Sequence, residues 1–355
     1  MKGCVKMFLV ILYSGLIAVI PYDSMAAGVP SPPSRLSIDE PVPAPPPPST
    51  IPEFTINPVT VIGNRFYSNN KPYFPSANFL SSSAGFTHLY LSRSMVQKQS
   101  MRDATKAAGH NAMFVYTINE NDYGGPAFSP YTSGIIGGTF DEEKISNWRN
   151  DLITLLNDGI RPVIWLIPDD APTIHSAGLV ELKRYIQKMV QSFADLPVMW
   201  VLALEADEYF TQTITNDLGS YLGSLTIQPV GLHQLGGNAN WMTASWVDFA
   251  AYQFGFGLTW DQIYGDVISK RSLVGDKPFF AVEYELTSET KSMQLGLAAA
   301  FAGAAGIGNG GPGTLDEFMQ NLPDNVVSSR YGNNLFLTGS GVTATADLDN
   351  LTFNN

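Results

Sequence analysis

Cysteine is almost missing from this chain. The one cysteine among 355 residues, Cys4, precedes an apolar run at the N-terminus. A disulfide framework needs paired cysteines, so none is expected to hold the fold together. Histidine is also scarce. His88, His110, His175 and His233 show no metal-ligand spacing, so neither a metal site nor a cofactor is expected. Charged residues make up only 15% of the chain, the formal charge is −12, and no basic cluster occurs. Nucleic acid recognition needs a basic footprint, so nucleic acid is not an expected partner. A glycine-rich phosphate loop is also absent where the first strand gives way to its helix, which disfavours a dinucleotide-binding sheet.

The N-terminus is built like an export signal. Lys2 and Lys6 precede the apolar run Met7 to Ile20, and Ser24-Met25-Ala26-Ala27 supplies small residues for cleavage. The run is too short for an ordinary spanning helix, so a cleaved signal peptide over 1–27 is expected, with an uncleaved membrane anchor as the alternative. Cleavage would remove two lysines and one aspartate, taking the charge from −12 to −13, and would leave no thiol. A secreted or periplasmic location follows, without stable membrane insertion. Residues 28–53 are proline-rich and include Pro45-Pro46-Pro47-Pro48. Such a segment favours extended polyproline and acts as a spacer.

The chain's 45% hydrophobic content supports a large core, expected from residue 54 onward. Phe54 to Phe66 alternates as a hairpin with Gly63-Asn64 at its turn. Short apolar runs then alternate with helical segments. Strands are expected at Tyr73–Phe79, Ala112–Thr117, Arg161–Ile167, Val198–Leu204, Pro229–Leu232, Phe249–Tyr252, Pro278–Val282 and Ala305–Gly308. Thr139 with Glu142, Thr259 with Gln262, and Thr314 with Glu317 read as capping boxes at helix starts. Eight strand–helix repeats in about 260 residues predict an α/β fold of the (β/α)₈ TIM-barrel type. A C-terminal hairpin is expected around Gly339-Ser340-Gly341.

Two stretches carry the chemistry. Pro197 to Tyr209, PVMWVLALEADEY, is apolar until Glu205, Asp207 and Glu208; Lys277 to Glu285, KPFFAVEYE, is apolar until Glu283. Continuous apolar runs suit strands buried on both faces, and the carboxylates follow at their C-terminal ends, where this fold places active sites. Alternation puts Val201, Ala203 and Glu205 on one face, and Phe279, Ala281 and Glu283 on one face, both expected to point inward. Two carboxylates across a cleft suit glycoside hydrolysis. Asn119 and Glu120, Asp169 and Asp170, His233, Tyr252 and Gln253 also lie at strand ends and are candidate carbohydrate-binding residues.

The layout resembles the clan of retaining glycoside hydrolases on (β/α)₈ barrels that includes the cellulase-like family 5. Asn69-Asn70-Lys71-Pro72-Tyr73-Phe74, Ala108-Gly109-His110-Asn111, Asp248-Phe249 through Gln253, and Glu283-Tyr284-Glu285 resemble motifs of related uncharacterised bacterial barrels. The resemblance implies that Glu205, after strand four, is the acid/base and Glu283, after strand seven, the nucleophile. It also implies a carbohydrate substrate. Two positions depart from the clan: Leu204 stands where Asn usually binds the sugar 2-hydroxyl, and Gly308-Asn309-Gly310 has no strand-eight Trp. A non-catalytic glycan-binding or envelope protein on a decayed barrel is therefore the second expectation. A third is an inverting hydrolase using Asp207 or Glu208.

Overall fold

The computed structural model describes residues 54 and 56–354, apart from 82–84, 121–126, 135, 256, 286–288, 309–318, 320–326, 332–333, 340–341 and 349–351. The expected signal peptide, proline-rich spacer and Thr314–Glu317 capping box lie outside the described residues.

Eight parallel strands close into a barrel: Ser76–Asn78, Ala112–Tyr116, Arg161–Ile167, Met199–Ala203, Val230–Gln234, Phe249–Gln253, Phe279–Val282 and Gly306–Gly308. They are called strands one to eight here. Strand eight pairs with strand one through Ile307 against Ser76, which completes the ring. Long helices follow most strands, at Met95–Ala107, Glu142–Asn157, Gly178–Phe193, Gln212–Leu225, Trp260–Arg271 and Glu289–Phe301.

The helix starts follow from the sequence. The Ser94 side chain accepts from the Gln97 amide, and Gln97 returns the bond to the Ser94 amide. Thr259 and Gln262 form the same reciprocal box. The expected Thr139–Glu142 box does not form. Asp141, directly before the helix, caps it by accepting from the Lys144 amide at 2.9 Å. Acids also suit this end of the helix dipole.

Two apolar layers result. Inside the ring lie Ala77, Phe114, Trp165, Met199, Val201, Phe249, Ala251, Phe280 and Val282. Between ring and helices lie Trp200, Leu202, Leu232, Tyr252, Phe279 and Ala281. Strand seven therefore has the opposite facing from that expected: Phe280 and Val282 point inward, while Phe279 and Ala281 point outward. Both faces of this strand are apolar, so composition alone does not distinguish them.

The N-terminal hairpin is a three-stranded antiparallel sheet, Val59–Ile62, Arg65–Ser68 and Lys71–Tyr73. It closes the end of the barrel away from the glutamates. Phe66 is fully buried, with its ring 5.4 Å from Phe249 and 6.3 Å from Phe280. Arg161 ties this end together by donating to the Pro197 carbonyl at 2.9 Å and lying over the Tyr73 ring. At the C-terminus, the expected hairpin forms as Asn334–Gly339 against Val342–Asp347, within a four-stranded antiparallel sheet completed by Val327–Tyr331 and Thr352–Asn354. The Ser328 hydroxyl fastens it by donating to the Phe301 carbonyl at 2.6 Å.

Candidate active site

Four non-glycine residues among those described have positive φ: Asn69, Asn70, Glu205 and Glu283. The two asparagines make a hairpin turn, where that conformation is common. The two glutamates do not. Left-handed backbone costs an ordinary residue roughly 1–2 kcal/mol and persists only where the surroundings impose it, typically at functional sites. Here it also does geometric work. Simple alternation after Val282 would turn Glu283 toward the helices; φ of +51° interrupts the alternation at that residue. On strand four the alternation fails two residues earlier. Ala203 packs with the outer layer, Leu204 with the interior, and Glu205 follows at φ +46°.

Both glutamates meet one imidazole. His233 lies on the inward face of strand five, fully buried, with the Trp165 ring 5.2 Å away. Its Nδ1 accepts the Glu205 backbone N–H at 3.0 Å. Its Nε2 lies 3.5 Å from Glu283 Oε2. Burial pushes the His233 pKa down to about 3, so the ring is neutral near pH 7. A neutral ring accepting at Nδ1 carries its proton on Nε2. The hydrogen-bond donor therefore faces the Glu283 carboxylate.

The two carboxyl groups occupy different surroundings. Burial pushes the Glu205 carboxyl up to about 7, and the negative charges of Asp169, Glu208 and Asp207 add to the rise, while a hydrogen bond from the Gln253 side chain opposes it. Glu283 is 2% exposed and has the His233 N–H in front of it. Its neighbour Glu285 is ion-paired with Lys291 at 3.0 Å. One glutamate is thus suited to carry a proton near neutral pH, and the other lies beside a fixed donor.

The remaining candidate residues divide. Gln253 points inward at the top of strand six and reaches Glu205; Asp169, after strand three, is near enough for its charge to act on Glu205. Asn119 is buried after strand two, bridging to Phe128, and lines a flanking pocket of about 390 Å³ together with Glu120. Glu120 itself caps the short helix Pro172–His175, accepting from the Thr173 and Ile174 amides. Tyr252 points the other way. Its ring packs against Phe254 and Phe279 in the outer layer, so it does not face the barrel mouth. Asp207 is a brace rather than a free base: its carboxylate accepts from the Leu235 amide and the Asn238 side chain, both at 2.6 Å.

Sequence reading passed over Tyr209 and His175. Their rings stack at 3.5 Å, and the Tyr209 hydroxyl donates to the Leu204 carbonyl. Only the position of Tyr209, four residues after Glu205, hinted at this. Among the described residues, no group of three or more His, Cys, Asp or Glu side chains is arranged to hold a metal ion.

No family model and no curated protein matches the sequence. Solved structures do match the fold. A family 5 glycoside hydrolase from Bacteroides vulgatus ATCC 8482 superposes with a TM-score of 0.63 at 13% identity, over 82% of this chain and 80% of that one. An endo-1,4-beta-mannanase from Rhizomucor miehei gives 0.56 at 13% identity, over 71% and 90%. A second endo-1,4-beta-mannanase, from Eisenia fetida, gives 0.52 at 13% identity, over 74% and 94%. Identities this low establish a shared (β/α)₈ barrel architecture.

Proposed function

We propose that this chain is an exported glycoside hydrolase acting by retaining double displacement, with Glu205 as acid/base and Glu283 as nucleophile. The observation that carries this reading is the shared imidazole. The Glu205 backbone N–H, after strand four, and the Glu283 carboxylate, after strand seven, meet opposite nitrogens of His233. In the first step the protonated Glu205 would give its proton to the leaving-group oxygen while Glu283 attacks the anomeric carbon. In the second, the Glu205 carboxylate would take a proton from water as that water displaces Glu283. Burial of Glu205 supports the first role, and the His233 Nε2, 3.5 Å from Glu283 Oε2, is the polar group beside the attacking carboxyl. Export is supported by Lys2, Lys6, the apolar run Met7 to Ile20 and the small residues after it.

The fold neighbours include two mannanases, so β-linked mannosides are the first substrates to test, followed by glucosides and galactosides. Glu283→Gln should lower kcat by several orders of magnitude with the fold intact. Normal activity in that variant sinks the assignment. A non-catalytic glycan-binding role remains the second reading, favoured by the buried Leu204 before Glu205. Glycan binding without release of reducing sugar from a broad panel would favour it.

A further inference from the structure

The peptide unit joining Leu204 to Glu205 is gripped from both sides. Its carbonyl accepts the Tyr209 hydroxyl, and its N–H donates to His233 Nδ1 at 3.0 Å. Carbonyl and N–H point in opposite directions from a planar trans peptide, so the two grips together fix its rotation. That rotation sets the left-handed backbone at Glu205. Each grip is anchored in turn. The Tyr209 ring lies flat on His175, with 7° between planes, and His175 Nε2 is held on the Pro168 carbonyl at 2.7 Å. The Tyr209 hydroxyl also lies 3.5 Å from the Ile167 carbonyl. On the other side, His233 is walled in by Trp165 and presents Nε2–H to Glu283.

We infer that Tyr209 and His233 are positioning residues that clamp the Leu204–Glu205 peptide, so that the segment carrying Glu205 is held from both sides, on one of them by the imidazole that lies beside Glu283. Tyr209 acts on Glu205 through the carbonyl. His233 acts on Glu205 through Nδ1, with Nε2 beside Glu283. A plainly structural tyrosine would fasten the loop without affecting how Glu205 titrates. The clamp instead keeps the Glu205 carboxyl in its half-buried place, facing Asp169 from the loop after strand three, Asp207 and Glu208 from its own loop, and Gln253 from strand six. This inference rests on the proposed roles of Glu205 and Glu283.

The test compares three conservative variants with the wild type. Tyr209→Phe removes one hydroxyl. His233→Gln keeps a donor near the Nε2 position and loses the acceptor. His233→Asn keeps an acceptor near Nδ1 and loses the donor. On aryl glycosides, Tyr209→Phe and His233→Gln should share one signature. The basic limb of kcat/KM moves acidward by half a unit or more, and kcat falls about tenfold or more with poor leaving groups but little with good ones. His233→Asn should leave that limb in place and slow both leaving-group classes alike. The titration of Glu205, followed by carboxyl carbon-13 NMR, should move in the same direction in Tyr209→Phe. If Tyr209→Phe lowers only the melting temperature, with the pH limb and leaving-group dependence unchanged, the clamp is wrong. If the wild type hydrolyses no glycoside, the proposed function fails; an unmoved Glu205 titration in Tyr209→Phe would then overturn the clamp separately.

Discussion

At the scale of single residues, the informative feature is the left-handed backbone at both glutamates. Glycine takes this conformation without penalty, whereas alanine pays for its Cβ. Glu205→Gly should therefore be more stable than Glu205→Ala by about 1 kcal/mol, and likewise at Glu283, measured by denaturant unfolding. At ordinary positions the difference is small or reversed. A second prediction follows from the raised Glu205 pKa. The folded state holds a proton that the unfolded state releases near 4.5, so this contribution to stability is complete below about 4.5 and is lost as pH rises through about 7. Glu205→Gln abolishes it. The melting temperature of Glu205→Gln should gain on that of the wild type between pH 5 and 8. A constant gap would mean that Glu205 titrates normally. The two glutamates were legible in the sequence because each ends an apolar run. Their backbone conformation was not, because glutamate does not favour positive φ and only the folded surroundings hold it there.

At the scale of elements, the strand–helix alternation was readable, and strand three has the expected limits, Arg161–Ile167. The facing of strand seven was not readable: Phe279 and Phe280 are chemically identical, and only packing decides which one enters the barrel. Tyr252 and Gln253 show the same limit, since their roles depend on which of two neighbours turns inward. The loops after strands four and five are coupled through Asp207, which holds the Leu235 amide and the Asn238 side chain. Both bonds lie in an exposed region, where a lost hydrogen bond costs on the order of 1 kcal/mol or less. Asp207→Ala should therefore change the melting temperature little, raise KM by loosening the mouth after strand five, and leave the product anomer unchanged. A change from retention to inversion or loss of all turnover would restore Asp207 as a catalytic candidate.

At the scale of the whole molecule, one end of the barrel is sealed and the other carries the carboxylates. The seal depends on Phe66, an aromatic side chain inserted among Phe249 and Phe280. Phe66→Ala should cost roughly 3–5 kcal/mol in denaturant unfolding, while leaving substrate specificity unchanged in the folded fraction. His233 should shape acid stability. Buried neutral, its contribution is complete above about 6.5 and drains away as pH falls toward about 3. The central claim is that Glu283 forms a bond to sugar while Glu205 supplies and retrieves the proton. The most direct measurement is peptide mass spectrometry after incubation with activated 2-deoxy-2-fluoro aryl glycosides, with mannosides first. A single glycosyl adduct on Glu283, absent from Glu283→Gln and long-lived in Glu205→Ala, is the predicted result. An adduct on another carboxylate, or turnover of these substrates that survives Glu283→Gln, would contradict it.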